Sequence, residues 1–108
     1  MKLENTIVQM RKGILEFCVL YVISEKEVYT SDLIAKLKEA KMMVVEGTLY
    51  PLLTRLKNAE VLEYNWVESQ SGPPRKYYKL TSKGKKFLKE LHTTWAEISD
   101  SVNTITQK

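Results

Sequence analysis

Cys18 is the only cysteine in the chain, so no internal disulfide can brace it. Its place inside an apolar run marks a small core hydrophobe, and a chain without disulfides suits a reducing compartment, so the cytoplasm is its expected home. Histidine is equally scarce. His92 is the only one, with no cysteine, carboxylate pair or glycine-rich loop at a useful spacing. That leaves no ligand cluster for a metal and no catalytic constellation, so neither an enzyme nor a cofactor is expected, and His92 reads as a surface or packing residue. Long apolar runs are missing too: Ile14 to Ile23 spans ten residues interrupted by Glu16, which is too short to cross a bilayer. Met1 to Lys12 has basic residues but no small-residue cleavage site after an apolar segment, so no signal peptide is expected. Repeats and low-complexity segments are absent.

The 108 residues suffice for one domain with a small core. A net charge of +4 fits a nucleic-acid partner without establishing one. The most informative stretch is Glu46 to Leu56. Leu49, Leu52, Leu53 and Leu56 form one helical stripe, and the opposite side carries Gly47, Pro51, Thr54, Arg55 and Asn58, flanked by Thr48 and Tyr50. That outer side has no acid after Glu46. It is equally the pattern of an ordinary amphipathic surface helix and of a helix built to enter a DNA major groove. If the helix starts at Glu46 or Gly47, Pro51 falls at about the end of its first turn, where the missing N–H costs least.

The flanking segments favour the groove. Thr6 to Ser24 reads as a first helix, apolar nearly all round in its second half, so part of it is expected to meet a second subunit. Val28 and Tyr29 fit a very short strand. Thr30 or Ser31 offers an N-cap for a second helix with Leu33, Ile34 and Leu37 buried, ending near Lys41. A short link then leads into the third helix, which is the helix-turn-helix pattern. Leu62, Tyr64 and Trp66 alternate with polar neighbours as in a strand. Gln70 to Pro74 is a turn by composition, and Arg75 to Leu80 a second strand. This places Arg75 and Lys76 at a hairpin tip, either to grip phosphates or as a solvated basic edge that blocks sheet pairing.

Thr81 or Ser82 caps the last helix. Along it, Leu88, Leu91, Trp95, Ile98, Val102 and Ile105 recur in steps of three and four, a heptad seam that calls for a partner helix or for packing within its own domain. Gly84 inside this helix costs about 1 kcal/mol unless another backbone comes close. Lys83, Lys85, Lys86 and Lys89 form a solvated face or add phosphate contacts. The expected fold is mainly α with a small β-hairpin: a winged helix-turn-helix over residues 1–81 and a C-terminal dimerisation helix over 82–108, in one structural unit.

Gly47-Thr48-Leu49-Tyr50-Pro51 followed by Arg55-Leu56, then Gly72 through Arg75-Lys76-Tyr77-Tyr78, then Leu80-Thr81 and Gly84 resemble the PadR family of bacterial transcriptional regulators. The single terminal helix resembles its shorter subfamily. The resemblance implies a homodimeric repressor that binds a palindromic operator in double-stranded DNA and is released by a small aromatic or hydrophobic effector. It carries DNA contact to Gly47, Thr48, Tyr50, Pro51 and Arg55 on the recognition helix and to Arg75 and Lys76 on the wing, with Ser31 added at the start of the second helix. It carries ligand contact to Trp95, whose two copies face each other in some members; simple packing is the alternative. Glu60 stands where the family usually has glycine, which leaves the turn after the recognition helix without its customary left-handed residue. Two alternatives stay open. One is a winged helix used for protein contacts alone; the other is the MarR type, although that usually carries dimerising helices at both ends of a longer chain.

Overall fold

The computed structural model describes residues 1–107. Four helices and one hairpin follow in the order α1 (Leu3–Glu25), α2 (Thr30–Glu39), α3 (Glu46–Asn58), β1 (Leu62–Ser69), β2 (Gly72–Leu80) and α4 (Ser82–Thr106). This is the expected winged helix-turn-helix with a long terminal helix. The core is apolar throughout: Leu20 of α1, Leu33 of α2, Leu49 and Leu53 of α3 and Leu62 of β1 are fully buried. All four leucines of the α3 stripe lie in it, which turns the other side of that helix outward. No described helix is long and apolar enough to cross a membrane.

Several local expectations are corrected. The first helix starts at Leu3, ahead of Thr6. Neither Thr30 nor Ser31 caps α2; both lie inside the helix, and Tyr29 occupies the cap position without a side-chain bond. Pro51 is not in the first turn, because α3 starts at Glu46 and the proline falls in its second. It therefore cannot donate to the Gly47 carbonyl, the bond an ordinary residue there would make.

The α2 and α3 helices end alike. Lys41 and Glu60 take left-handed backbone, with φ of 62° and 63°. After α2, Met42 N–H donates to the Leu37 carbonyl (2.8 Å) and Lys41 N–H to Lys38 (2.9 Å). After α3, Val61 donates to Leu56 and Glu60 to Lys57, both at 3.0 Å. These are the paired bonds of the Schellman motif, which usually recruits glycine. Glu60 thus supplies the left-handed residue itself, and the turn keeps its geometry without the glycine.

The α3 turn also anchors α4. The Thr81 hydroxyl donates to the Glu60 carbonyl (2.6 Å) and accepts from Gly84 N–H (2.9 Å), capping the helix. A Cβ at Gly84 would collide with the Val61 carbonyl, the close backbone that the glycine's cost called for. Lys83 donates to the Ala59 carbonyl at 2.9 Å, so one of the four clustered lysines is tied to the same turn.

The hairpin is antiparallel and pairs Leu62 with Leu80, Tyr64 with Tyr78, Trp66 with Lys76 and Val67 with Arg75. Its turn is shorter than composition indicated. The second strand starts at Gly72 and takes in Pro73 and Pro74, which a two-stranded sheet tolerates because both strands are edges. Arg75 and Lys76 therefore do not sit at the tip. They lie mid-wing and, as neighbours in a strand, on opposite faces of the sheet.

Candidate nucleic-acid interface

The wing, the start of α2 and the outer side of α3 enclose an open cleft of about 380 Å³. Ser31, Tyr50, Arg75 and Lys76 line it together, with Tyr29, Glu46 and Trp66. Gly47, Thr48 and Pro51 are exposed on α3 beside it. The structure does not bring Arg55 into this group. Its guanidinium turns to α1, where Nη2 lies 3.4 Å from Glu16 Oε1.

Arg75 and Lys76 both rest on aromatic rings. The Arg75 guanidinium lies 4.7 Å from the centre of the Tyr29 ring, and Tyr29 in turn packs on Tyr77 at 5.1 Å. Reciprocal backbone bonds between Val28 and Tyr78, at 3.3 and 2.8 Å, fasten this segment to the hairpin. The expected short strand at Val28 and Tyr29 is this single bridge, at Val28. On the other face, Lys76 Nζ stands 4.5 Å from the Tyr64 ring centre and 5.4 Å from that of Trp66. Such contacts contribute about 0.5–1 kcal/mol each at exposed sites, enough to bias where a long side chain points while leaving its charge free. Burial pushes the Tyr78 phenol up, with Tyr50 and Tyr64 adding to the shift.

Tyr29 and Trp66 escaped the sequence reading as interface residues. Period-two alternation puts Trp66 on one face with Tyr64, but only the register sets Lys76 across from it. Tyr29 read as part of a very short strand, and nothing near it in sequence signals Arg75.

The far side of the molecule carries the second candidate surface. Leu88 is buried in its own subunit's core, so it is not open to a dimer seam, while Leu91 is half-buried against that core; α4 docks on α1 and β2. Beyond them Trp95, Ile98, Val102 and Ile105 are exposed. Trp95 also lines a mainly apolar groove of about 410 Å³ with Phe17, Cys18, Tyr21, Leu37 and Met42. His92 packs between these elements, 6.0 Å from Phe17 and 6.2 Å from Tyr21. Burial raises the Cys18 thiol, which keeps it in the inert protonated form. Among the described residues no cluster of histidine, cysteine and carboxylates could hold a metal ion.

A helix-turn-helix, a hairpin whose Arg75 and Lys76 border the cleft beside the third helix from the two faces of their strand, and a long terminal helix define a winged helix by architecture. The sequence profile of the transcriptional regulator PadR-like family matches residues 19–90. The chain belongs to that family, whose members are transcriptional regulators and not enzymes. It is 59% identical to a PadR-like transcription factor from Bacteroides fragilis, with 94% of this chain and 99% of that one covered and a TM-score of 0.80. To a PadR-like transcriptional regulator from Bacillus cereus it is 42% identical, over 93% and 98% of the two chains, with a TM-score of 0.82. The fold is shared, at 21% identity and a TM-score of 0.67, with Bacillus subtilis PadR solved in complex with operator DNA, over 72% of this chain and 46% of that one.

Proposed function

We propose that this regulator is a cytoplasmic homodimeric repressor that binds a palindromic operator and is released by a planar aromatic or hydrophobic compound. The observation that carries the DNA-binding part is the convergence of Ser31, Tyr50, Arg75 and Lys76 on one cleft beside the exposed start of α3. The B. subtilis PadR of the same fold was solved with operator DNA. In this reading residues 1–81 form the DNA-binding unit and α4 the dimerisation helix, the last residue of the expected range 82–108 lying outside the described residues.

Two α3 helices held by paired α4 helices enter successive major grooves about 34 Å apart. Free N–H groups at the start of α3 hold a phosphate. Thr48 and Tyr50 reach phosphate oxygens or base edges, and Pro51 makes an apolar contact suited to a thymine methyl. Arg75 and Lys76 bring charge to the backbone from the wing. Arg55 joins them by leaving Glu16, since an exposed pair contributes only about 0–1 kcal/mol and yields to a phosphate. If a dimer neutralises about six phosphates, raising salt from about 50 to about 200 mM costs roughly 10³ in affinity.

The deciding experiment is selection of bound duplexes from a random pool. A recovered palindrome with half-sites one helical turn apart is expected; a protein that shifts no duplex at low salt belongs instead with winged helices that bind only proteins. The effector is expected between the two copies of Trp95, where it changes the separation of the α3 helices by binding one arrangement better than the other. Titration with flat dyes should quench tryptophan emission, and quenching that persists in Trp95→Ala would move the ligand elsewhere.

A further inference from the structure

We propose that Trp66 contacts DNA in its own right, its indole packing against the deoxyribose wall of the minor groove beside the wing. The inference rests on the operator-binding reading above and adds an apolar contact to a set that is otherwise polar and cationic. Trp66 is 62% exposed, whereas the other aromatics of the hairpin, Tyr64, Tyr77 and Tyr78, are buried or half-buried. A single exposed apolar side chain needs no partner by itself, but the surroundings of this indole point to one.

Trp66 stands on the rim of the cleft that holds Tyr50, Arg75 and Lys76, so it is continuous with the surface already assigned to the operator. It also borders the groove behind the wing, where Lys57 and Lys83 are balanced by Glu60 and Glu63. The excess of positive charge beside the indole lies on the cleft side, where Arg75 and Lys76 outnumber Glu46. A second copy of this wing would be repelled there, while a polyanion would be attracted. A duplex offers that combination: phosphates for the cations, with the C–H edges of sugars between them for the ring. The geometry also limits how the ring is used. Lys76 Nζ lies over it at 5.4 Å, and the Tyr64 ring stands nearly perpendicular at 6.1 Å. A wedge driven between base pairs needs both faces of the inserted group. With one face taken by Lys76, packing along a groove wall is the mode left. Such a contact is indifferent to sequence and, being uncharged, releases no counterions.

The test measures duplex affinity across a salt series for the full chain and for Trp66→Ala, Trp66→Phe, Lys76→Ala and the Trp66→Ala/Lys76→Ala double variant. Trp66→Ala is expected to weaken binding to every duplex about tenfold with the salt slope unchanged. Trp66→Phe should retain most of the affinity. The tenfold loss should recur in the Lys76→Ala background. On adding duplex, the emission of the unmodified protein should shift, and this shift should vanish in Trp66→Phe. Affinity of Trp66→Ala within about twofold of the unmodified protein would overturn the inference. So would a loss that disappears once Lys76 is gone, because the ring would then only hold the ammonium. A fall in sedimenting mass for Trp66→Ala would place a second copy on the indole instead. These outcomes leave the operator-binding reading intact, whereas an unmodified protein that binds no duplex sinks both.

Discussion

At the scale of single residues, the most telling positions are those where this chain departs from the residue its backbone favours. Lys41 and Glu60 hold left-handed φ at helix ends where glycine is the cheapest occupant. An L side chain there costs about 1–2 kcal/mol, part of which glycine returns through its greater freedom in the unfolded chain. Glu60→Gly is therefore expected to stabilise the fold by about 1 kcal/mol in urea unfolding, with no change in m-value; destabilisation would mean that the Glu60 side chain contributes more than its exposure implies. Gly84 is the reverse case. Because a Cβ there meets the Val61 carbonyl, Gly84→Ala should destabilise by about 3 kcal/mol, the upper range for forcing atoms into a packed contact. Calorimetry of the two variants should move the melting temperature in opposite directions. Tyr29 acts on a neighbour: Tyr29→Leu should lower duplex affinity about threefold by freeing Arg75 from its ring, while Tyr29→Phe keeps the face that the guanidinium uses. Equal losses in both would assign the effect to the phenol hydroxyl.

At the scale of elements, the wing is the part whose chemistry the sequence described least well. The helices were readable because their apolar residues repeat at three and four, and α3 has the stripe expected of it. The strands were readable from alternation in β1. The turn between them was not, since Gly72, Pro73 and Pro74 have the composition of a loop yet continue a strand that at this end has no outer neighbour to satisfy. That shortening carries Arg75 and Lys76 away from the tip and onto opposite faces, each against a ring from elsewhere. Ser31, Tyr50, Arg75 and Lys76 were each expected to contact DNA, but their meeting in one cleft depends on the register and on the Val28–Tyr78 bridge. Pairings of that kind between distant segments leave no local periodicity to read. The salt dependence of binding isolates the wing's charge. Lys76→Ala removes one phosphate contact per subunit, so the slope of log K against log salt should fall by about 1.8 for the dimer, with weaker binding to all sequences alike. An unchanged slope would take Lys76 off the phosphate backbone.

At the scale of the whole molecule, the shape of the single chain is itself an argument for a partner. The radius of gyration is 15.6 Å, against about 13 Å for a compact domain of this length, and the longest dimension is 56 Å. The excess comes from two ends that nothing in the chain supports. Residues 3–13 of α1 are exposed throughout, including Leu3, Val8 and Met10, and α4 projects Trp95, Ile98, Val102 and Ile105 beyond its own core. The last three recur in steps of four and three along one side of α4, the spacing of a helix seam, and an isolated helix with that much open apolar surface is marginal in water. Pairing two such ends, as proposed above, would bury both and would fix the distance between the two α3 helices. A charge in the seam should undo this without touching the DNA-binding unit, because Val102 is far from the cleft in sequence and outside its lining. Val102→Glu is expected to sediment as a single subunit at micromolar concentration. It should bind a palindromic duplex about 10²- to 10⁴-fold more weakly than the dimer, since the second half-site is then no longer engaged at a high effective concentration. Its affinity for an isolated half-site should stay that of the unmodified protein. A Val102→Glu protein that remains dimeric would show that the subunits pair through another surface, and one that is monomeric yet binds the palindrome undiminished would remove twofold symmetry from the recognition mechanism.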